Sequence, residues 1–534
     1  MSEWHPTACV LCENNCGIEV KLSEDGRRIE KVRGDDAHPG SQGYLCQKAS
    51  RVDFYQNSPD RVTHPLRRKD DGSFERIDWD TAINEIAERF MAIRDEYGGD
   101  KIFYYGGGGQ GNHLPGAYGI TTTSALGGKY HSNALAQEKT GEGWVANKMF
   151  GAYARTGDFE HCQVAIFIGK NPWHSHGVQR SRVALREIAK DPNRALVVFD
   201  PRVSETAEIA DHHIRVKPGT DAWALAAIIA IIVQDGLEHQ DWMAEHVVEW
   251  EKVRPVFEQL SIADYSAHAG VPESELRELA TLIAKADSVA WYEDLGTQMN
   301  RHSTLVSYLQ RLAWLVTGSF GKKGSQFIPN TMRPLMNGST SLSRTSPVAG
   351  APMLGGMVPC NVIAEEILSD HPDRYRAMLI ETANPAHSLA DTEKFVGAMR
   401  KLDLTVVIDV NMSETARHAD YVLPVATQYE KSEATFFNFE YPNNHFHLRK
   451  PIMKPPADSD VLIEAEIHAR LLEAIGEMPE EVIGLKKTLE IQGRDAFAKA
   501  FFDACEANPK VKHYSNVVMY RVLADSLPEG YGQA

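Results

Sequence analysis

A chain of 534 residues, 43% of them hydrophobic, carries enough apolar mass for several packed domains, about three or four at ordinary domain size. Its net charge of −17 repels phosphate backbones and sets nucleic acid aside as a partner. No basic or apolar leader opens the sequence, and the longest apolar run, Ala222 to Val233, is too short for a bilayer, which predicts a cytoplasmic chain with no membrane span.

Four of the seven cysteines fall in the first fifty residues, as Cys9, Cys12, Cys16 and Cys46. Cys162, Cys360 and Cys505 stand singly. A Cys-x2-Cys-x3-Cys triplet closed by a distant fourth thiol has the spacing of a tetrathiolate metal site. Three ligands plus one suit the corners of a [4Fe–4S] cluster, whereas zinc usually takes paired Cys-x2-Cys hooks. Zinc and bare structural thiols remain the other readings; disulfides do not fit a leaderless chain of this size. Alternating runs at Ile18–Leu22 and Ile29–Arg33 predict short antiparallel strands around the site.

From Trp79 the pattern becomes helical, with Ile83, Ile86, Ala87, Phe90 and Met91 on one face and Asp80 placed to cap the start. Lys101–Tyr105 reads as a strand that ends in the glycine run Gly106–Asn112. Strand–loop–helix units follow. Val164–Ile168 leads into Gly169–His176, Ala195–Phe199 into Asp200–Thr206, Ile214–Lys217 into Pro218–Asp221, and Ser288–Tyr292 into Gly296–His302. A second set comes later: Arg376–Ile380 before Glu381–Ser388, Leu404–Asp409 before Asn411–Ala416, and Ala419–Pro424 before Glu430–Thr435. Strands alternating with helices predict doubly wound parallel sheets, which collect ligands at the carboxyl ends of their strands. The two sets echo each other, Asn171-Pro against Asn384-Pro and Ser204-Glu-Thr-Ala against Ser413-Glu-Thr-Ala. Two related nucleotide-binding domains are expected to face one another, around a cofactor with two similar ends or two copies of one cofactor.

The four cysteines, Trp79-Asp-Thr-Ala, Asn171-Pro, Asp200-Pro-Arg with Ser204-Glu-Thr-Ala and Ala210-Asp, Pro218-Gly-Thr-Asp, Thr317-Gly with Gly321 and Gly324, and Ala419-Asp-Tyr-Val-Leu-Pro with Glu430-Lys form an ordered set. In that order it resembles the molybdopterin oxidoreductases that use a bis(molybdopterin guanine dinucleotide) centre, the formate dehydrogenases and nitrate reductases among them. The resemblance covers nearly the whole chain. It implies an α/β architecture in which an N-terminal iron–sulfur subdomain with small antiparallel sheets joins two related doubly wound α/β domains. The expected divisions are residues 1–60, joined by parts of 440–534, for the cluster; 61–135 with 336–440 for the first α/β domain; and 136–335 for the second.

The same resemblance implies roles. Cys9, Cys12, Cys16 and Cys46 hold a [4Fe–4S] cluster, and Lys48 lies between cluster and pterin. Gly169, Asn171, His176, Asp200, Arg202, Ser204, Glu205, Pro218, Gly219, Asp221, Gly296 and Gln298 bind one dinucleotide; Gly109, Asn112 and Asn384 bind the other. Asp200 and Asp221 are acceptors for hydroxyl or N–H donors, and Arg202 and Arg333 are partners for anions. The family's usual metal-ligand position falls at Gln137 with Glu138 beside it, so no thiol or selenol is available. Either a side-chain oxygen ligates molybdenum or tungsten, or no protein group does, and Gln137, Glu138 and Arg333 are the catalytic candidates. The family's closing C-terminal β domain has no counterpart here, and is expected to be missing or supplied by a separate chain. The function implied is a molybdenum- or tungsten-dependent two-electron oxidation or reduction of a small molecule, with electrons leaving through the cluster to a redox partner protein. A non-catalytic iron–sulfur subunit of the same fold is the alternative, and a zinc-stabilised binding protein a third reading.

Overall fold

The alternating runs near the N-terminus form a three-stranded antiparallel sheet of β1 (Trp4–Ala8), β2 (Gly17–Leu22) and β3 (Ile29–Gly34). The computed structural model describes residues 3–107, 111–153, 156–329, 340–435 and 446–527. Ile18, Val20 and Leu22 point to one face, where they pack with Val52, Tyr429 and Met453. The Cys9 N–H donates to the Cys16 carbonyl at 2.8 Å, so the first three cysteines sit on the loop that closes the β1–β2 hairpin.

Beyond it, β4 (Leu66–Arg68), β5 (Phe74–Arg76), β6 (Ile102–Tyr105) and β7 (Tyr130–Ser132) enter a second sheet. A third is made by β8 (Val164–Ile168), β9 (Ala195–Phe199), β10 (His212–Ile214) and β11 (Val289–Glu293). The chain then returns to the second with β12 (Ala377–Glu381), β13 (Leu404–Asp409) and β14 (Tyr421–Pro424). A short antiparallel ribbon of β15 (Glu433–Thr435) and β16 (His447–Arg449) follows.

The third sheet is wholly parallel in the order β10-β9-β8-β11. The second has the order β5-β4-β14-β13-β12-β6-β7, parallel except at β4 and β5. Its β14-β13-β12-β6 segment repeats the order of the third sheet, strand for strand. The fourth member differs only in its place along the chain: β11 follows its sheet, whereas β6 precedes its own.

Helices cover both faces of these sheets, which is why β8, β9 and β12 read as unbroken apolar runs. The helix Asp221–Gln234 is apolar on every side and is buried all round, against Phe257, Ile262, Leu276, Leu279, Leu309 and Leu312 of its neighbours. On the second sheet, Ile83, Ile86 and Phe90 of the helix Trp79–Tyr97 pack on Tyr104, Leu379 and Val406. That helix is capped by Asp78, whose carboxylate accepts the Thr81 N–H; Asp80 lies inside its first turn instead. The correction is one of register, since Asp78 has the extended backbone a cap requires. Of the later segment, Ile452, Met453 and β16 meet the cysteine lobe, whereas the helices Glu464–Ala474 and Ser515–Leu523 pack on the helix Pro115–Ala125. Among the described residues no helix is long and apolar enough to cross a membrane.

Arg311 is fully buried beside the end of β11. It donates to Glu293 at 2.9 Å and lies 3.5 Å from Glu142. Burial, opposed by Arg311 and reinforced by Glu142, pushes the Glu293 carboxyl up to about 7. Arg311→Leu leaves the buried Glu293 carboxylate without its cation, a loss of about 3–5 kcal/mol, while Glu142 keeps Lys139 at 3.9 Å. Thermal unfolding is expected to show a lower midpoint above neutral pH and a smaller loss in mild acid, where Glu293 takes up a proton. An unchanged midpoint above neutral pH would refute the assignment.

Candidate functional site

In the third sheet β8 and the edge strand β11 lead into loops whose backbones are in contact. Gly169, just after β8, has φ +57°, and a Cβ there would lie 2.6 Å from the Thr297 nitrogen. A Cβ on Gly296 would lie 2.6 Å from the Gly169 Cα. Only glycine fits either place. The second sheet reaches the same geometry with a different residue: Thr382, after β12, holds φ +54°, a strained value for a β-branched side chain. Its hydroxyl accepts the Gly107 N–H at 2.9 Å, tying β12 to the glycine run after β6.

Past these points the two halves make the same hydrogen bonds. Asn171 donates from Nδ2 to Glu205 at 2.5 Å and accepts at Oδ1 from the Thr206 hydroxyl at 2.7 Å and N–H at 3.2 Å. Asn384 donates to Glu414 at 2.6 Å and accepts from the Thr415 hydroxyl at 2.7 Å and N–H at 3.1 Å. Asp200 and Asp409 each accept the N–H two residues on, from Arg202 at 2.9 Å and Asn411 at 3.2 Å. Ser204 is buried and accepts the Ala207 N–H. Each half therefore presents a prebuilt pair of loops at its carboxyl crest, where an open α/β sheet binds ligands.

The cysteine lobe lies against both crests. Gln47 donates to the His174 carbonyl and Lys48 Nζ to the Ser175 carbonyl, each at 3.1 Å, while His176 Nε2 sits 3.0 Å from Gln47 Oε1. Burial first, then Lys48 and Arg182, pushes the His176 imidazole down to about 4, so it is neutral at neutral pH. On the other side, Val10 and Leu11 help to wall a cavity of about 390 Å³ that also reaches Asn112, Thr382, Asn384, Asp409, Asn411, Ser413 and Glu464. A Cβ on Gly111 would come within 2.8 Å of Val10, so the end of the glycine run packs directly on the cysteine loop.

The donor chemistry fits the groups expected. Cys9 is buried and Cys12, Cys16 and Cys46 are half-buried. Desolvation, opposed by the Leu11 N–H and reinforced by Cys46, pushes the Cys9 thiol up to about 11; Lys48 and Arg449 pull the other way. Four soft thiols suit an iron–sulfur cluster. Among the described residues no three His, Cys, Asp or Glu side chains converge tightly enough for a single ion. In the cavity, Asn112 Oδ1 and Asn411 Oδ1 are buried with no hydrogen-bond partner among the described residues, and each can accept from a ligand's N–H or O–H.

The remaining candidates fall into place unevenly. Asp221 is 5% exposed, and burial, reinforced by the Asp200 charge, pushes its carboxyl up to about 6. Pro218 is exposed, Gly219 turns the chain at φ +81°, and Arg202 is exposed and lies 3.4 Å from Glu205. Gln298 is spent inside the protein: it accepts from Lys139 and donates to Glu142 at 2.6 Å. Gln137 and Glu138 are half-buried on the short helix Leu135–Glu138. Gly109 and Arg333 lie outside the described residues.

The sequence reading passed over several groups. Lys139 and Lys170 both pair with Asp294, directly after β11. Cys360 lies against the turn before Gln137, its thiol donating to the Asn133 carbonyl at 3.2 Å; burial pushes that thiol up, opposed by Ser132 and Tyr105. Lys170 and Asp294 had a local signal, a charge just past a buried strand. Cys360 had none, since only the fold brings it there.

Comparison with known proteins agrees with this geometry. The family model described as molybdopterin oxidoreductase matches residues 61–460, and the molybdopterin oxidoreductase Fe4S4 domain matches residues 2–58, which removes the zinc reading. The probable oxidoreductase YyaE of Bacillus subtilis (strain 168) is 27% identical over 486 residues, covering 88% of this chain and 69% of the relative. The F420-dependent formate dehydrogenase subunit alpha of Methanocaldococcus jannaschii is 26% identical, over 85% of this chain and 68% of its own. The assimilatory nitrate reductase catalytic subunit of Bacillus subtilis (strain 168) is also 26% identical, over 82% and 64%. Among solved structures, acetylene hydratase from Pelobacter acetylenicus shares the fold with a TM-score of 0.75 at 20% identity, over 88% of this chain and 69% of that one. The chain belongs to the molybdopterin oxidoreductase family and carries that family's Fe4S4 domain at its N-terminal end.

Proposed function

We propose that the chain is a cytoplasmic molybdenum- or tungsten-dependent oxidoreductase that holds two molybdopterin guanine dinucleotides, one on each crest, and hands electrons through a [4Fe–4S] cluster to a redox partner protein. The observation that carries this reading is the repeated Asn–Glu–Thr arrangement, Asn171 with Glu205 and Thr206 and Asn384 with Glu414 and Thr415, on either side of the cysteine lobe. When bound, the pterin-held metal supplies a two-electron exchange with substrate and the cluster a one-electron outlet.

The protein's own groups do the rest. Cys9, Cys12, Cys16 and Cys46 are the cluster ligands. Lys48, anchored on the Ser175 carbonyl, places a cation between the lobe and one crest. Asn112 and Asn411 accept donors from the ligand in the cavity, and Asp200 and Asp221 accept them on the other crest. Gln137 and Glu138 offer side-chain oxygens at the catalytic position; Glu138 can also hold a proton there. Formate and nitrate are the first substrates to assay, from the names of the relatives.

Protein purified without oxygen is expected to contain about four iron and about one molybdenum or tungsten per chain. Iron without either metal would leave an electron-transfer subunit in place of the enzyme. Asn171→Ala and Asn384→Ala are each expected to lower guanine nucleotide released by acid to about half, with iron unchanged, because each removes a hydrogen-bonding hub from one crest only. Loss of all the nucleotide in either variant, or of none in both, would contradict two independent half-sites.

Asp221 provides a pH test. Its folded-state value lies above the ordinary 3.8, so the folded chain holds the proton more tightly than the unfolded chain. That stabilisation is complete in acid below the ordinary value and is lost as pH rises through about 6. Asp221→Asn carries no charge, so protein purified without cofactor is expected to gain about 2–3 kcal/mol relative to the parent as pH rises through that window. Thermal unfolding across the window measures it, and a difference independent of pH would rule it out.

A further inference from the structure

Arg449 ends β16 and is 3% exposed. Its guanidinium donates to Asn15 Oδ1 at 3.2 Å and to the Gly111 carbonyl. Asn15 lies between Cys12 and Cys16, in a left-handed conformation with φ +42°, and its N–H donates to the Cys12 carbonyl at 3.3 Å. Its Oδ1 also accepts the Thr435 hydroxyl of β15. One buried cation thus braces the cysteine loop, the glycine run and the β15–β16 ribbon.

The ribbon's register sets Glu433 opposite Arg449. Glu433 is fully buried and accepts the Leu114 N–H at 3.2 Å and its neighbour Ala434 N–H at 3.0 Å. The nearby Lys431 and Glu464 form a buried ion pair of their own. Arg449 and Glu433 are therefore a second, buried cation and anion set beside the cysteine loop, reached through Asn15 and Gly111, whereas the exposed Lys48 reaches the Ser175 carbonyl.

We propose that Arg449, opposed by Glu433, sets the reduction potential of the iron–sulfur centre from its buried side. The proposal rests on Cys9, Cys12, Cys16 and Cys46 being the cluster ligands. Reduction adds one negative charge to the cluster. A guanidinium does not titrate in the working range, and burial leaves its field poorly screened, whereas Lys48 faces solvent. Arg449 is a positioning and tuning residue that touches the ligand loop through Asn15.

The test is a potentiometric titration of the anaerobically purified full chain, following the reduced cluster by electron paramagnetic resonance well above neutral pH. Arg449→Gln is expected to shift the reduction equilibrium about tenfold toward the oxidised cluster, which is about 59 mV for one electron. Arg449→Lys keeps the charge and stays near the parent. Glu433→Gln removes the facing anion and moves the midpoint the other way. An Arg449→Gln protein with full iron and an unmoved midpoint overturns the proposal. If that variant fails to assemble, Glu433→Gln decides, and an unmoved midpoint there overturns it equally. Absence of iron from the parent protein would instead overturn the ligand assignment, an outcome separable from every variant result.

Discussion

Two α/β sheets must bring neighbouring strand ends close enough for the following loops to act together, and backbone sterics govern how. In the third sheet the strands meet through Gly169 and Gly296, which leave no room for a Cβ. In the second, Thr382 holds the left-handed conformation itself and offsets part of its strain with the hydrogen bond from Gly107. From these crossings the loops run outward to Asn171 and Asn384. Each asparagine uses its amide oxygen and nitrogen to bind the loop from the neighbouring strand, so the crest is rigid before any ligand arrives. Such preorganisation lowers the ordering cost of binding.

Behind the crests lies an unusual amount of buried charge. Lys139, Lys170 and Asp294 cluster under one, and Lys431 pairs with Glu464 under the other. Arg311 sits between Glu142 and Glu293. Buried ion pairs contribute little net stability compared with apolar packing, so their presence in number argues for a site that fixes polar groups in place. Asn112 and Asn411 carry the same message, since a buried amide oxygen without a partner among the described residues is a costly group that a ligand can satisfy.

Much of the fold was legible because it rests on local signals. The apolar runs of β8, β9, β12 and β13 announced strands covered on both faces, and the twin Asn-Pro and Ser-Glu-Thr-Ala stretches announced the duplication. The cysteine spacing announced the cluster. What stayed hidden depends on residues far apart in the chain. Arg449 reaches Asn15 and Cys360 reaches Asn133 only after folding, and no spacing rule links them. Gln298 shows the opposite limit: a polar residue in a glycine-containing loop looks ready for a ligand, yet Lys139 and Glu142 consume its amide. Asp78 took the cap from Asp80 because cap choice turns on one or two residues of backbone register.

The displaced fourth strand bears on how the molecule is made. The chain lays down β6 and β7, leaves to build the whole third sheet, and only then delivers β12 to β14 to pair with β6. The nested sheet can close as soon as it emerges, since its strands are consecutive, while β6 waits with its pairing edge open. The second sheet is thus the late, long-range event of assembly, with the slow closure that large sequence separation brings. Because Thr382 and Asn384 follow β12, the cavity against the cysteine loop cannot exist until that event is complete. The cavity is therefore a product of long-range pairing and not of any one local unit.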